Sequence, residues 1–305
     1  MKQVLVTDSL FIYEEHVKQL EAAGYEVVRL DKPEATEEEL ISALKGKVGY
    51  ILGGIEKVTE KVLASTDELK AIVFTGTDTE EFIPGLRFAK QKGIAVDNTP
   101  GTNAFAVSEY AVAIALAMER NLFELGPLGS KTFETRPSLK GLTIGIVGAG
   151  NIGTKVGQMI RAFEPESLLY FSRSENDSLK TQGARFVPLS DLVAASDLIF
   201  IAVPKQAEGL LSSDMIAKAK HNALIVSISA LEVIDMDALL LRLKAGTLRA
   251  AVDWPPPSAE YKSLSPQVWF NSNNHAAYNT FEANQKASDM AVTLLLDLLS
   301  SSGVK

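Results

Sequence analysis

Leu142-Thr143-Ile144-Gly145-Ile146-Val147-Gly148-Ala149-Gly150-Asn151-Ile152-Gly153 is the stretch on which the fold turns. Thr143–Val147 has the apolar character of a buried strand, and a helical pattern begins near Ile152. Between them the glycines keep the spacing G-x-G-x-x-G, each for its own reason. Gly148 permits the tight turn that leaves the strand. Gly150 lets the backbone approach a pyrophosphate, and Gly153 lets helix and strand pack closely. A helix starting at such a turn, here at Asn151 and Ile152, offers free N–H groups and a partial positive charge to phosphate. The spacing alone is weak. The strand before it, the helix after it and a second strand at Leu168–Phe171 make it a βαβ unit that binds a dinucleotide.

The end of that second strand selects the nucleotide. An acid there would hold the adenosine ribose diol and repel a 2′-phosphate. Ser172-Arg173-Ser174 occupies the position, with no acid until Glu175. A cation flanked by two hydroxyls suits a 2′-phosphate through charge-assisted hydrogen bonds. NADP(H) is therefore the expected cofactor, with NAD(H) as second choice.

Working outward, 305 residues are more than one compact core usually holds, so two domains are expected. The first hundred residues alternate strands (Val4–Thr7, Glu26–Leu30, Val48–Leu52, Ala71–Thr75, Ile94–Val96) with helices (Tyr13–Ala23, one capped by Thr36 with Glu39, one capped by Thr59, and Pro84–Lys92). Asn103–Arg120 is apolar on nearly every face, as in a helix buried between layers. Gly126, Pro127, Gly129 and Pro137 mark residues 121–140 as a linker. A second series has strands at Thr143–Val147, Leu168–Phe171, Leu198–Ala202, Leu224–Ser227, Arg249–Val252 and Val268–Phe270. A final helix runs from about Thr280 to Ser300. The expectation is an α/β protein of two doubly wound parallel sheets with a cleft between them. A flavodoxin-like substrate domain would span 1–100 plus 280–305, and a Rossmann dinucleotide-binding domain 101–279.

The net charge is −8, and there is no basic run, so nucleic acid is not an expected partner. The absence of cysteine removes disulfides, thiolate nucleophiles and Cys-ligated metals. No metal site is assigned. The longest apolar stretch, Ala104 to Met118, is too short to span a bilayer. The first apolar run is too short for a signal peptide. A cytoplasmic protein acting on a small molecule is the default, with no membrane partner.

At this point the chain resembles the D-isomer-specific 2-hydroxyacid dehydrogenases over nearly its whole length. Leu139–Val147 is similar to the family's lead-in to the glycine loop. Asn98-Thr99-Pro100-Gly101-Thr102-Asn103-Ala104 is similar to its interdomain crossing, and Val187–Leu192 with Ser196-Asp197 to its middle strand–helix region. Ala223–Leu239 and Ala250–Asp253 resemble the segments that end in catalytic residues. The resemblance implies a hydride transfer served by an arginine, a histidine and a glutamate, and it implies a homodimer. His275 falls at the acid/base histidine, a residue whose ordinary pKa suits the task. His16 and His221 are read as surface residues. The resemblance also implies cofactor contacts from Val203, Pro204 and Ile228, and a nicotinamide contact from Asp253.

Other positions depart from the family. Ala230 stands where its substrate-clamping arginine would be. Arg249 and Lys205 are cations that could substitute but are not assigned. The glutamate position aligns near Ser258, after Pro255-Pro256-Pro257, so Glu260 is the candidate through a local shift. In the substrate loop, Thr75-Gly76-Thr77 keeps one glycine, with Asp78 and Glu81 beside it. Gly53 and Gly54 lie where some members hold an anion-binding pair and supply only backbone and space.

The leading expectation is an NADP(H)-dependent oxidoreductase acting on a carbonyl, imine or hydroxy compound, with His275 as acid/base. The alternative is a dinucleotide-binding regulatory or scaffold pseudoenzyme. A third reading is an ordinary 2-hydroxyacid dehydrogenase with a relocated arginine.

Overall fold

A computed structural model describes residues 1–8, 12–32, 34–128, 135–273 and 277–303; of 126–128 only the backbone is described. The chain divides into two compact units, Met1–Asn103 with Thr280–Lys305, and Ala104–Asn279.

The first unit alternates β1 (Lys2–Thr7), α1 (Glu14–Ala22), β2 (Tyr25–Leu30), α2 (Glu37–Ala43), β3 (Lys47–Leu52), α3 (Glu60–Ala64), β4 (Ala71–Phe74), α4 (Thr79–Phe82), α5 (Leu86–Gln91) and β5 (Ala95–Asn98). Its five strands are all parallel in the order β2-β1-β3-β4-β5, the flavodoxin-like arrangement. Every residue of β3 and of β4 is buried, because helices cover both faces of a parallel sheet. Leu40, Val62, Leu63 and Ala89 fill one face.

The second unit begins with α6 (Ala104–Glu119) and α7 (Leu122–Leu128). It continues with β6 (Thr143–Val147), α8 (Asn151–Arg161), β7 (Ser167–Phe171), α9 (Asp177–Thr181), β8 (Arg185–Phe186), α10 (Leu189–Ala195) and β9 (Leu198–Ile201). It ends with α11 (Ser213–Lys218), β10 (Ala223–Ser227), α12 (Met236–Lys244), β11 (Leu248–Val252), α13 (Ala259–Lys262) and β12 (Trp269–Asn271). Its seven parallel strands run β12-β11-β10-β9-β6-β7-β8, the Rossmann order with one strand added. Residues from α6 and α8 cover one face, and residues from α10 to α12 the other.

The chain then returns to the first unit as α14 (Phe281–Ser301), capped by Thr280. Ala291, Val292, Leu295 and Leu299 pack with Val4, Val6 and Ile51 on the sheet's second face. Gly49 makes the fit possible, since a Cβ there would stand 3.1 Å from Leu299 and 3.2 Å from Leu295. Among the described residues no helix is long and apolar enough to cross a membrane.

Two sequence expectations need correction. Residues 121–140 are not all linker, because 122–128 form α7. Asn121, at φ 52°, turns the chain out of α6, and its side chain donates to Glu124. Phe123 stacks on Phe270 with ring centroids 4.1 Å apart, so a tertiary contact overrides the Gly126-Pro127 signal. His16 is buried, not on the surface. Its Nδ1 accepts the Tyr13 N–H at 3.0 Å, and its Nε2 lies 2.9 Å from Asp289 of α14.

Candidate functional site

The glycine loop is built at the carboxyl edge of the second sheet, between β6 and α8. Gly148 has φ +103°, and a Cβ on it would stand 2.2 Å from the Ala202 carbonyl oxygen. Gly153 is tighter still: its Cβ would lie 1.8 Å from the Gly148 oxygen. Both positions therefore exclude any side chain. Gly150 is different. It precedes α8 with extended backbone, no side chain caps the helix, and nothing lies within 4 Å of its Cβ position. The space a side chain would fill there is the seat a pyrophosphate needs, and the uncapped N–H groups of Asn151 and Ile152 start the helix beside it. The residues present thus fit a dinucleotide.

Ser172, Arg173 and Ser174 follow β7 at the same edge. Arg173 is exposed and makes no ion pair with any described residue. Glu175, the nearest acid in sequence, pairs with Lys180. Ser172 Oγ donates to the Ser174 carbonyl. Asn176 caps α9 and donates from Nδ2 to the Ala149 carbonyl at 2.9 Å, tying this turn to the glycine loop. Its Asn-Asp-Ser-Leu context is a helix-start signal that sequence reading had available but did not use.

Val203 and Pro204 leave β9, and Ile228 leaves β10. The buried Ser229 joins these two loops. Its Oγ accepts the Val203 N–H at 2.8 Å and donates to the Ile201 carbonyl at 3.2 Å. Ser229 was missed because nothing local marks it; the bond spans 26 residues. Asp253, immediately after β11, is buried, and its Oδ2 accepts the Ala277 N–H at 3.0 Å. Burial and then the charge of Asp253 push the Tyr110 phenol up, opposed by a hydrogen bond to Ser272. This draws α6 to the end of β11 and β12.

Ala230 lies just after β10, in front of a short helical turn. The charges nearby are Lys205 and Glu232, paired at 3.0 Å. Hydrogen bonds from its own backbone and from Lys205 hold Glu232 below the usual carboxylate range. Glu260 pairs with Lys244, at the C-terminal end of α12, which is the amino edge of the sheet. Asn271 ends β12 at the opposite edge. His275 lies outside the described residues.

In the first unit, Gly53 and Gly54 follow β3, and Thr75, Gly76 and Thr77 follow β4, on neighbouring loops of one edge. Thr75 donates through N and Oγ1 to the Leu52 carbonyl, at 3.0 and 3.2 Å. Asn98 Nδ2 donates to the carbonyls of Gly76 and Thr77, at 3.1 and 2.9 Å. Among the described residues no set of three His, Asp or Glu side chains could hold a metal ion.

Sheet order and glycine loop together define a two-unit α/β protein of the dinucleotide-binding class. Residues 115–268 match the family model described as D-isomer specific 2-hydroxyacid dehydrogenase, NAD binding domain, and the chain belongs to that family. It is 30% identical to the D-3-phosphoglycerate dehydrogenase of Methanocaldococcus jannaschii, over 98% of this chain and 58% of the relative, so it spans little more than half of that protein. It is 28% identical to the glyoxylate reductase of Thermofilum pendens, over 86% of this chain and 81% of the relative. An acyclic imino acid reductase (Bsp5), solved with NADPH and D-Arg, shares the fold with a TM-score of 0.84 at 20% identity, covering 99% of this chain and 98% of that one.

Proposed function

We propose that the chain is an NADP(H)-dependent oxidoreductase acting on a small carbonyl, imine or hydroxy compound. The observation behind the cofactor choice is Arg173. It is exposed at the end of β7 without an ion-pair partner among the described residues, while Glu175 is taken by Lys180. A 2′-phosphate there would gain a charge-assisted contact worth about 1.5–3 kcal/mol.

When bound, the nicotinamide supplies or accepts the hydride. The rest falls to this chain's residues. His275 gives a proton to the substrate oxygen in reduction and takes it back in oxidation. Glu260 is left out of that proposal, because its carboxylate serves Lys244 at the other edge of the sheet. Asp253 fixes the end of β11 beside the segment that leads to His275. The first unit is the substrate domain, through Gly53, Gly54 and Thr75–Thr77. With Ala230 in place of a guanidinium, and Lys205 closed on Glu232, a substrate carboxylate has no fixed cation in that loop. This supports a neutral or cationic substrate rather than an ordinary 2-oxo acid.

NADPH oxidation across a panel of carbonyl and imine compounds tests the proposal. His275→Ala is expected to lower kcat by about 10²–10⁴-fold on any substrate found. Turnover unaffected by the substitution would remove His275 from the mechanism.

A second reading, a dinucleotide-binding regulatory or scaffold protein of impaired catalysis, is favoured by the same Ala230. Tight NADPH binding without turnover on the whole panel would select it. Ala230→Arg should then create glyoxylate or hydroxypyruvate reduction, with about ten- to hundredfold gain over background.

A further inference from the structure

Asn176 stands in the turn that follows β7, and every polar atom it carries is engaged. Its N–H donates to the Tyr170 hydroxyl at 3.0 Å, and its carbonyl accepts from that hydroxyl at 3.4 Å. Tyr170 is a fully buried residue of β7, so the turn is anchored to the sheet. Oδ1 accepts the Leu179 N–H at 2.9 Å and caps α9. Nδ2 reaches across 27 residues of sequence to donate to the Ala149 carbonyl, at 2.9 Å. Thr154 Oγ1, in the first turn of α8, lies 3.4 Å from both Nδ2 and the Ala149 oxygen. The amide can sit only this way round. The reverse would set its oxygen against the Ala149 carbonyl and its nitrogen against the Leu179 N–H.

What Nδ2 holds is the peptide unit between Ala149 and Gly150, the middle of the glycine loop. In a trans peptide the C=O and the N–H point in opposite directions. No cis peptide bond occurs among the described residues. Fixing the Ala149 carbonyl toward Asn176 therefore turns the Gly150 N–H away from it, where that N–H has no acceptor among the described residues. The loop's own sequence does little to prevent the opposite arrangement. A flip of this peptide would carry Gly150 from φ −80° to a positive value, which glycine adopts at little cost. The flipped loop would present a carbonyl oxygen where a phosphate oxygen has to sit.

We propose that Asn176 is a positioning residue for the cofactor, presetting the Ala149–Gly150 peptide so that the Gly150 N–H faces the pyrophosphate. The turn that carries Ser172–Ser174 and the loop that seats the pyrophosphate are thereby one preformed unit. The pyrophosphate is common to both nucleotides, so the role holds for NADH and NADPH alike. It requires the NAD binding domain that residues 115–268 match, and neither Arg173 nor the reaction proposed above.

Two variants separate this role from the helix cap. Asn176→Ser and Asn176→Asp both keep a side-chain oxygen to cap α9, at which Ser and Asp equal Asn, and both keep the backbone N–H that meets Tyr170. The Ser side chain is too short to reach Ala149, and the Asp carboxylate sets an acceptor against an acceptor. Calorimetry measures binding of NADH, NADPH and ADP-ribose, and urea titration measures stability.

Both variants are expected to unfold near the wild-type midpoint. Asn176→Ser should bind all three ligands about five- to tenfold more weakly, the worth of one hydrogen bond. Asn176→Asp should bind them at least as weakly as Asn176→Ser, and the ratio of NADPH to NADH affinity should be unchanged in both. Wild-type affinities in both variants overturn the proposal. A loss confined to one nucleotide also overturns it, because Asn176 would then read the adenosine end. A loss that tracks the urea midpoint does the same, since it would leave Asn176 a helix cap alone.

Discussion

Arg249 donates from Nη2 to Glu119 at 2.9 Å from Oε1 and 3.1 Å from Oε2, and both side chains are buried. The same guanidinium donates to the Asn222 carbonyl. Arg249 is the second residue of β11 and Asn222 immediately precedes β10, so this pair closes the amino edge of the sheet. The glycine loop and Ala230 are at the carboxyl edge. Arg249 is thus a structural cation and does not replace the missing arginine. Glu119→Ala strands a buried charge and should lower unfolding free energy by about 3–5 kcal/mol. NADPH affinity of the folded variant should stay within about twofold of wild type by calorimetry. A tenfold loss of affinity would place Arg249 in the site after all.

Gly150 and Gly153 separate binding from folding. Gly153→Ala would drive a methyl group into the Gly148 carbonyl, 1.8 Å away, and should destabilise by about 3 kcal/mol in denaturant titration. Gly150→Ala meets no protein atom within 4 Å. Its stability should change by less than about 1 kcal/mol. Its NADPH affinity should nonetheless fall at least tenfold, because the new methyl occupies the phosphate seat. Unchanged affinity in Gly150→Ala would refute the placement of the pyrophosphate.

Short-range chemistry made much of this fold readable. Apolar runs such as Leu198–Ile201 read as strands covered on both faces, and this one is buried throughout. The Thr36 and Glu39 pair forms the reciprocal cap that its spacing announced, at 3.3 and 2.9 Å. The glycine loop was legible for the same reason, since each glycine answers a clash within its own βαβ unit. Contacts far apart in sequence were not legible. Phe123 finds Phe270 and makes a helix where Gly126 and Pro127 suggested a linker. His16 finds Asp289 across 273 residues. Glu260 looked close enough in sequence to serve His275, but only the course of α12 reveals that it faces Lys244. Thr7 meets Tyr50, and Tyr50 holds Glu56, only because β1 and β3 are neighbours in the sheet.

Arg173 should govern nucleotide choice. Removing its charge as Arg173→Gln takes away the charge-assisted part of a phosphate contact. NADPH should bind about ten- to hundredfold more weakly, and NADH within about threefold of wild type. The ratio should also fall as salt rises, because Arg173 is exposed and screened. Equal losses for both nucleotides would mean that Arg173 supports the loop and does not read the 2′-phosphate.

Glu56 makes the stability of the first unit depend on pH in a predictable direction. Burial raises its pKa above the ordinary 4.5, so the folded chain binds a proton more readily than the unfolded one. Between the two values the folded state holds more protons, and stability falls as pH rises. The loss is complete above the raised value, where a charged carboxylate with one orphaned oxygen stays buried. Glu56→Gln cannot ionise and removes this slope. Measured by denaturant titration from pH 5 to pH 8, the variant should gain on wild type as pH rises, by a swing on the order of 1 kcal/mol, typical of one unsatisfied buried polar group. The difference should shrink toward acid. Asp8, also raised by burial, contributes a slope of the same sign, which Glu56→Gln retains. A difference that is flat across the range would mean that Glu56 is ionised in the folded protein already at pH 5, as in the unfolded chain, and that burial does not raise it into this window.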